Sequence, residues 1–297
     1  MFPASFGYVA ARSVDEALEL LAKHGEDAKL LAGGHSLIPA MKLRLASPQT
    51  LIDIGTVQGL RGVRVDSDAL TIGALTVHAD IAYSDLVRQR VPALAAAAGV
   101  IGDVQVRNRG TIGGSCAHAD PAADFPVVLT ALNASFVAVS SSGKRTIAVD
   151  DFFVDFYTTA LGQNEILTEI RVPLPPSDAG TAYHKLANPA SGYVVVSSGA
   201  LVRRDGSGKC IDARVAIGGL GGKPFRPAAT EAALRGKSLT PEAIADAAAK
   251  AADGSDPDDE IYASADYKRH VATVLTRRAL AQASGFKIET SHPQNQR

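Results

Sequence analysis

Apolar residues recur along this chain in two rhythms, one of three to four residues and one of two, and clusters of Gly, Pro, Ser and Asp punctuate both. The first rhythm opens at Val14, Ala17, Leu18 and Leu21, directly after Ser13-Val14-Asp15-Glu16, a capping-box sequence. It predicts a helix that Gly25 stops. A short strand over Lys29 to Ala32 then runs into Gly33-Gly34-His35-Ser36. A helix is expected from Leu37 to Leu45, with Pro39 tolerated in its first turn, and a strand over Leu51 to Ile54. The first 55 residues therefore form a unit of strand, glycine turn, helix and strand.

From about 56 to 172 the pattern alternates short strands, such as Ala69 to Gly73 and Ser135 to Val139, with Ala-rich helical stretches around 77 to 99. Ser141-Ser142-Gly143-Lys144 has hairpin chemistry between two strands. The three prolines in the stretch from Pro173 to Gly180 exclude continued helix and mark a boundary. Beyond it, strands are expected at 181 to 187 and 193 to 204, the latter joined through Asp205-Gly206-Ser207-Gly208 to a partner at 210 to 217. Two helices close the chain. One starts at Thr240-Pro241 and runs to Ala252; the other carries Tyr267, Val271, Val274 and Leu275 on one face, with Lys268, Arg269, Arg277 and Arg278 elsewhere, and ends near Gly285. The tail from Ser291 is expected to be disordered. The fold class is α+β.

Composition narrows the function. Thirty basic and thirty-one acidic residues among 297 leave a net charge of −1, with no basic stripe to neutralise phosphates, so nucleic-acid binding is disfavoured. A chain of this length buries roughly three quarters of its unfolded surface and needs no disulfide staple. Its two cysteines, Cys116 and Cys210, lack the neighbours of a cluster or zinc site; Cys116 and His118 have a spacing suited to a metal pair, but no further Cys or His group stands near them. No apolar run approaches the roughly 20 residues of a membrane helix. The N-terminus lacks a basic-then-apolar signal, so a cytoplasmic location is expected, with the inner membrane face reached, if at all, through a complex.

The chemistry lies in two glycine segments. At Gly33-Gly34-His35-Ser36 the backbone can approach a ligand and turn its N–H groups toward an anion such as a pyrophosphate, with the positive end of the next helix behind it. Arg109-Gly110-Thr111-Ile112-Gly113-Gly114-Ser115 repeats the arrangement about 80 residues later and leads through Asp120-Pro121-Ala122-Ala123-Asp124 into an apolar helix ending near Asn133. A lone glycine pair usually marks only a tight turn. Two pairs, each before a helix, suit one pyrophosphate. Competing motifs fail: Gly34-His35-Ser36-Leu37-Ile38 has Ile where a nucleophile elbow needs Gly, and Gly219-Leu220-Gly221-Gly222-Lys223-Pro224 has Ile217 and Pro224 at required phosphate-loop positions. The spacing of a Rossmann fingerprint is not found after the first strand.

Leu31-Ala32-Gly33-Gly34-His35-Ser36-Leu37-Ile38-Pro39 followed by Met41-Lys42-Leu43-Arg44-Leu45, and Thr111-Ile112-Gly113-Gly114 with Ala119-Asp120-Pro121 and Asp124, resemble the two flavin segments of the FAD-binding subunits of molybdenum hydroxylases. Tyr267-Lys268-Arg269-His270 through Arg277-Arg278-Ala279-Leu280 resembles the C-terminal helix of the same family, so the likeness spans nearly the whole chain. Within the family the first segment is most similar to medium subunits of aerobic carbon monoxide dehydrogenase. The resemblance implies a two-subdomain FAD-binding fold of the vanillyl alcohol oxidase (PCMH) type over residues 1–176, divided at 55/56. A C-terminal α+β domain of the carbon monoxide dehydrogenase flavoprotein type follows over 177–290, and a tail over 291–297.

The resemblance also implies the site. Leu31, Ala32, Gly33, Gly34, His35, Ser36 and Leu37, with Thr111, Ile112, Gly113, Gly114 and Ser115, hold the pyrophosphate and neighbouring groups. Asp124 accepts from a polar part of FAD, Ile101, Leu167 and Lys185 match further contacts, and Tyr193 corresponds to the aromatic residue near the flavin ring. Ser115 departs from the family, where Asn is usual. Without the resemblance, Lys185 reads as a solvated charge, Tyr193 as a core-edge aromatic and Asp124 as a helix N-cap.

The implied role is electron transfer. A large partner subunit holds the molybdenum-pterin cofactor, a small one holds two [2Fe-2S] clusters, the assembly is a dimer of heterotrimers, and an external acceptor such as a quinone takes the electrons. The alternatives are the FAD subunit of a related hydroxylase acting on an aldehyde, purine or N-heterocycle, a stand-alone flavin oxidoreductase of the same superfamily, or a flavin-free assembly module.

Overall fold

A computed structural model describes residues 1–287; the expected tail from Ser291 lies outside them. The first unit comprises β1 (Gly7–Ala10), α1 (Val14–His24), β2 (Ala28–Leu31), α2 (Leu37–Lys42) and β3 (Thr50–Asp53). Ser13 caps α1 by accepting from the Glu16 N–H at 3.1 Å, and Glu16 accepts in return from the Arg12 N–H at 2.7 Å, one residue earlier than a regular capping box. Ala17, Leu18 and Leu21 are buried as their spacing requires. The strands form a parallel sheet with β3 central between β1 and β2. The helix α2 ends at Lys42, short of Leu45, because the chain turns out through Arg44 at φ 62° and leaves Leu43 and Leu45 exposed.

The second unit begins with β4 (Val63–Asp66) and β5 (Ala69–Gly73), followed by six short helices: α3 (His78–Tyr83), α4 (Asp85–Arg90), α5 (Pro92–Gly99), α6 (Val104–Arg107), α7 (Ile112–His118) and α8 (Asp124–Ala131). The Ala-rich stretches around 77 to 99 form three helices, since Ser84 caps a new helix at its oxygen and Pro92 supplies the first residue of another. Then come β6 (Ser135–Ser140), β7 (Gly143–Ala148), α9 (Val149–Phe152), β8 (Phe153–Asp155), β9 (Thr158–Thr159) and β10 (Ile166–Pro173). A five-stranded antiparallel sheet is ordered β4-β5-β10-β6-β7, with the expected hairpin joining β6 to β7. Phe136 and Phe152 stack at 3.8 Å between ring centroids, and Phe153 meets both edge-on, which closes the lower core.

The third unit is β11 (Ala179–Ala187), β12 (Val194–Arg204) and β13 (Cys210–Gly218) in one antiparallel sheet, with α10 (Ala228–Leu234), α11 (Pro241–Ala248) and α12 (Ala265–Ala283). The helix α10 has no counterpart in the sequence reading. Thr240 caps α11 as expected, accepting from the Ala243 N–H at 3.2 Å. On α12 Val271 and Leu275 are buried as expected, but Val274 is only partly buried and Tyr267 is exposed, whereas Lys268 is buried and pairs with Glu260 at 2.7 Å. The sheet is covered by α12 on one side and by α5 and α8 on the other. Coverage of both faces explains the unbroken burial from Val194 to Val202. Among the described residues no helix is long and apolar enough to cross a membrane.

Candidate functional site

A cleft of about 1150 Å³ runs between the three units. Its volume lies above the usual range for small-ligand pockets, roughly 300–1,000 Å³, which suits a ligand of dinucleotide size. Every residue expected in the site lines it except Ile112 and Lys185. Ile112 is fully buried in the core, and its N–H is spent on the Thr76 carbonyl.

The first glycine segment leaves β2 and enters α2. Gly34 adopts φ 76°, a left-handed conformation that glycine accepts freely. The N–H groups of Gly33, Gly34, His35, Ser36 and Leu37 find no acceptor among the described residues. Five unpaired donors in one loop are costly unless water or an anion meets them, so the segment is preset for a negatively charged group.

The second segment is built differently from its expected form. Gly113 and Gly114 lie inside the first turn of α7, and their N–H groups are already engaged, one by the Ala74 carbonyl at 2.8 Å and the other by the capping hydroxyl of Thr111 at 3.1 Å. The glycines here serve packing. A Cβ on Gly113 would lie 2.5 Å from that of Ala74, and one on Gly110 would lie 2.5 Å from Nε2 of His78. A Cβ on Gly33 would overlap the Arg109 carbonyl. The two segments, distant in sequence, are thus pressed together with only hydrogen atoms between their backbones. What the second offers a ligand is the side chain of Ser115 and the surface of the turn.

His78 was not foreseen. It is buried beside Phe125, with ring centroids 5.2 Å apart, and burial, then the charges of His35 and Arg107, push it down to about 4. It is neutral at ordinary pH. Its sequence neighbourhood, Thr76-Val77-His78, carries no recognisable signal, because its role comes from Val77 bridging Thr111 across the fold. Tyr157 and Asp120 also line the cleft; Tyr157 packs against His118 at 5.0 Å between centroids, and burial, then the Asp120 charge, raises its phenol. Tyr193 is half-exposed at the same mouth, with its phenol raised by burial and then by Asp120.

Asp124 is the first residue of α8, and Ala123 occupies the cap position, so the N-cap reading does not hold. Its carboxylate is buried and meets Lys185 Nζ at 2.9 Å and Tyr183 Oη at 2.9 Å. Lys185, whose side chain is 7% exposed, is a buried ion-pair partner, which excludes a solvated charge. It stands behind the cleft wall and donates also to the Gly192 carbonyl at 2.9 Å. Burial raises the Asp124 carboxyl to about 6, against the opposing pull of Lys185 and Tyr183. Tyr183 has a signal in hindsight, since it shares a strand face with Lys185 two residues away.

The residues fit FAD: unpaired donors for a pyrophosphate, apolar walls from Leu31, Leu37, Ile101 and Leu167 for the rings, and a buried carboxylate for a polar edge. Comparison with known proteins agrees. Residues 4–175 match the family described as FAD binding domain in molybdopterin dehydrogenase, and residues 181–283 match the CO dehydrogenase flavoprotein C-terminal domain. The chain is 42% identical to the carbon monoxide dehydrogenase medium chain of Hydrogenophaga pseudoflava, over 95% of this chain and 98% of that one. It is 40% identical to the 6-hydroxypseudooxynicotine dehydrogenase complex subunit alpha of Paenarthrobacter nicotinovorans, over 95% and 96%. A solved carbon monoxide dehydrogenase structure from H. pseudoflava, of a form lacking the Mo-pyranopterin moiety, superposes with a TM-score of 0.92 at 44% identity, covering 96% of this chain and 99% of that one.

Proposed function

This chain belongs to the FAD-binding subunits of the molybdenum hydroxylases, and on that premise we propose that it is the medium subunit of an aerobic carbon monoxide dehydrogenase. The observation that carries the finer reading is the 42% identity to such a medium chain over almost all of both sequences. In this reading the chain takes electrons from two [2Fe-2S] clusters of a small subunit and passes them to an external acceptor such as a quinone. A large subunit holds the molybdenum-pterin cofactor and oxidises the substrate, and two copies of each chain make the assembly. A second reading is favoured by the nearly equal 40% identity to a 6-hydroxypseudooxynicotine dehydrogenase subunit: a related hydroxylase acting on an N-heterocycle, an aldehyde or a purine. This chain does not choose the substrate.

FAD, when bound, supplies redox chemistry that can accept electrons singly and release two. This chain binds, orients and shields. The N–H groups of Gly33 to Leu37 hold the pyrophosphate, with Ala32 at the loop's entry; Ser115 offers its hydroxyl to the groups beside it, and Thr111, Gly113 and Gly114 form the turn surface they lie against. The Ser115 hydroxyl can donate and accept where Asn is usual. Asp124 accepts from a polar part of the cofactor, Tyr193 and Ile101 flank the rings, and Lys185 secures Asp124. No acid, base or nucleophile is required of this chain, and neutral His78 serves as packing for the Gly110 turn.

The test is a flavin-fluorescence titration of the intact chain with FAD, FMN and NAD. Saturable quenching by FAD without FMN binding is expected. A folded chain that binds no FAD, alone or with its two partner subunits, contradicts the site. Turnover of carbon monoxide by the assembled complex, compared with aldehydes and N-heterocycles, separates the two substrate readings.

A further inference from the structure

The polar contacts behind Asp124 come from the third unit. Tyr183 and Lys185 lie two residues apart on β11, so both side chains leave the same face of the sheet. Both reach the first residue of α8. Tyr183 Oη donates to Asp124 Oδ1 at 2.9 Å, and Lys185 Nζ stands 2.9 Å from Oδ1 and 3.1 Å from Oδ2. Tyr183 is buried, and burial together with the Asp124 charge keeps its hydroxyl protonated. It is therefore a fixed donor. A phenylalanine would fill the same space without the desolvation cost of a hydroxyl, so the carboxylate is what the hydroxyl serves. Of these groups only Asp124 lines the cleft.

We propose that Tyr183 is a positioning residue of the cofactor site, holding the Asp124 carboxylate, together with Lys185, in the orientation that bound FAD meets. By this route the C-terminal sheet completes a site whose walls come mostly from the first 176 residues. The inference rests on reading the cleft as an FAD site and Asp124 as one of its acceptors.

The experiment is an FAD titration of the intact chain in four forms, wild type, Asp124→Ala, Tyr183→Phe and the double variant, each first shown to unfold cooperatively. Each single variant weakens FAD binding by about three- to tenfold, the scale of one ordinary net hydrogen bond. The double variant binds no more weakly than Asp124→Ala alone, because Tyr183 acts through Asp124. The pH below which FAD affinity falls lies higher in Tyr183→Phe than in wild type, since the charged carboxylate has lost a donor. Lys185 and Tyr183 are the titratable groups bonded to Asp124; α5 carries none, and among the described residues no charged group of α7, β12, β13 or α9 bonds to it.

Unchanged affinity and an unmoved acid limb in folded Tyr183→Phe, alongside a weakened Asp124→Ala, overturn this inference alone. Wild-type protein that is folded but binds no FAD, or Asp124→Ala that binds like wild type, overturns the reading beneath it and the inference with it. Should Tyr183→Phe fail to fold, Tyr183→3-fluorotyrosine keeps the shape and makes the hydroxyl a stronger donor. The acid limb then moves to lower pH, and an unmoved limb overturns the proposal.

Discussion

Gly33 and Gly34 are neighbours that are glycine for different reasons. Gly34 needs its left-handed φ, so Gly34→Ala should cost about 1–2 kcal/mol of backbone strain while Ile38 and Leu31 yield slightly. Gly33 has no such freedom to exploit, because a methyl there meets the carbonyl of Arg109, a backbone atom that cannot step aside. Gly33→Ala should destabilise by roughly 3 kcal/mol or more and abolish FAD retention, as denaturant unfolding and a flavin titration together would register. Equal, small effects of the two substitutions would contradict the contact. A second expectation concerns charge. The Asp124 carboxyl is raised to about 6 from an unfolded value near 3.8, so the folded chain holds that proton more tightly, and stability from this group declines as pH rises from about 4 to about 6. Removing Lys185 takes away the main opposing pull. Lys185→Met should therefore cost about 3–5 kcal/mol at pH 8, where the carboxylate is charged and has lost its cation, keeping only the Tyr183 donor, and distinctly less at pH 5, where it is neutral. Urea unfolding at the two pH values decides it. At this scale the sequence pointed to the first loop, whose residues line the cleft, but not to the separate reasons for its two glycines. Nothing in Gly113-Gly114 distinguishes a glycine that frees an N–H from one that admits a neighbouring alanine; only the position of Ala74 does that.

Among the elements, α7 shows how local capping and the site are joined. Thr111 ends the segment that packs on Gly33 and caps α7 through the Gly114 N–H. Thr111→Ala should cost about 1 kcal/mol and weaken FAD binding, measured by thermal unfolding and titration. Strands were the most legible elements, because β5, β11, β12 and β13 follow period-two or fully apolar patterns bounded by Gly and Asp turns. The failures have physical causes. The helix α10 is seven residues long and lacks a side-chain cap, which leaves little periodicity to detect. On α12 a lysine took an inward position that its charge argues against, since its stem is buried and its ammonium finds Glu260 and the Asp258 carbonyl, partners supplied by a preceding loop. No pattern within the helix announces them.

At the scale of the molecule, the boundary near Pro173 divides the chain more cleanly than it divides the core. Tyr183, Leu201 and Ala216 of the third unit join the cluster built by residues 70 to 172, and α8 lies against β12 and β13. A fragment of residues 1–176 should consequently lose cooperative unfolding and FAD binding together, whereas the intact chain keeps both; a stable, flavin-binding fragment would show that the shared core is dispensable. The contact of Gly33 with Arg109 carries this further, into time. A loop finished early in synthesis has no partner until Arg109 and Gly110 have been made, and the buried pair behind Asp124 waits for Lys185. Nascent chains emerge at only about 5–20 residues per second. A ribosome-bound chain halted before residue 185 should thus be unable to retain flavin, and loading of the cofactor becomes a step that waits for β11 instead of guiding the folding of the first loop.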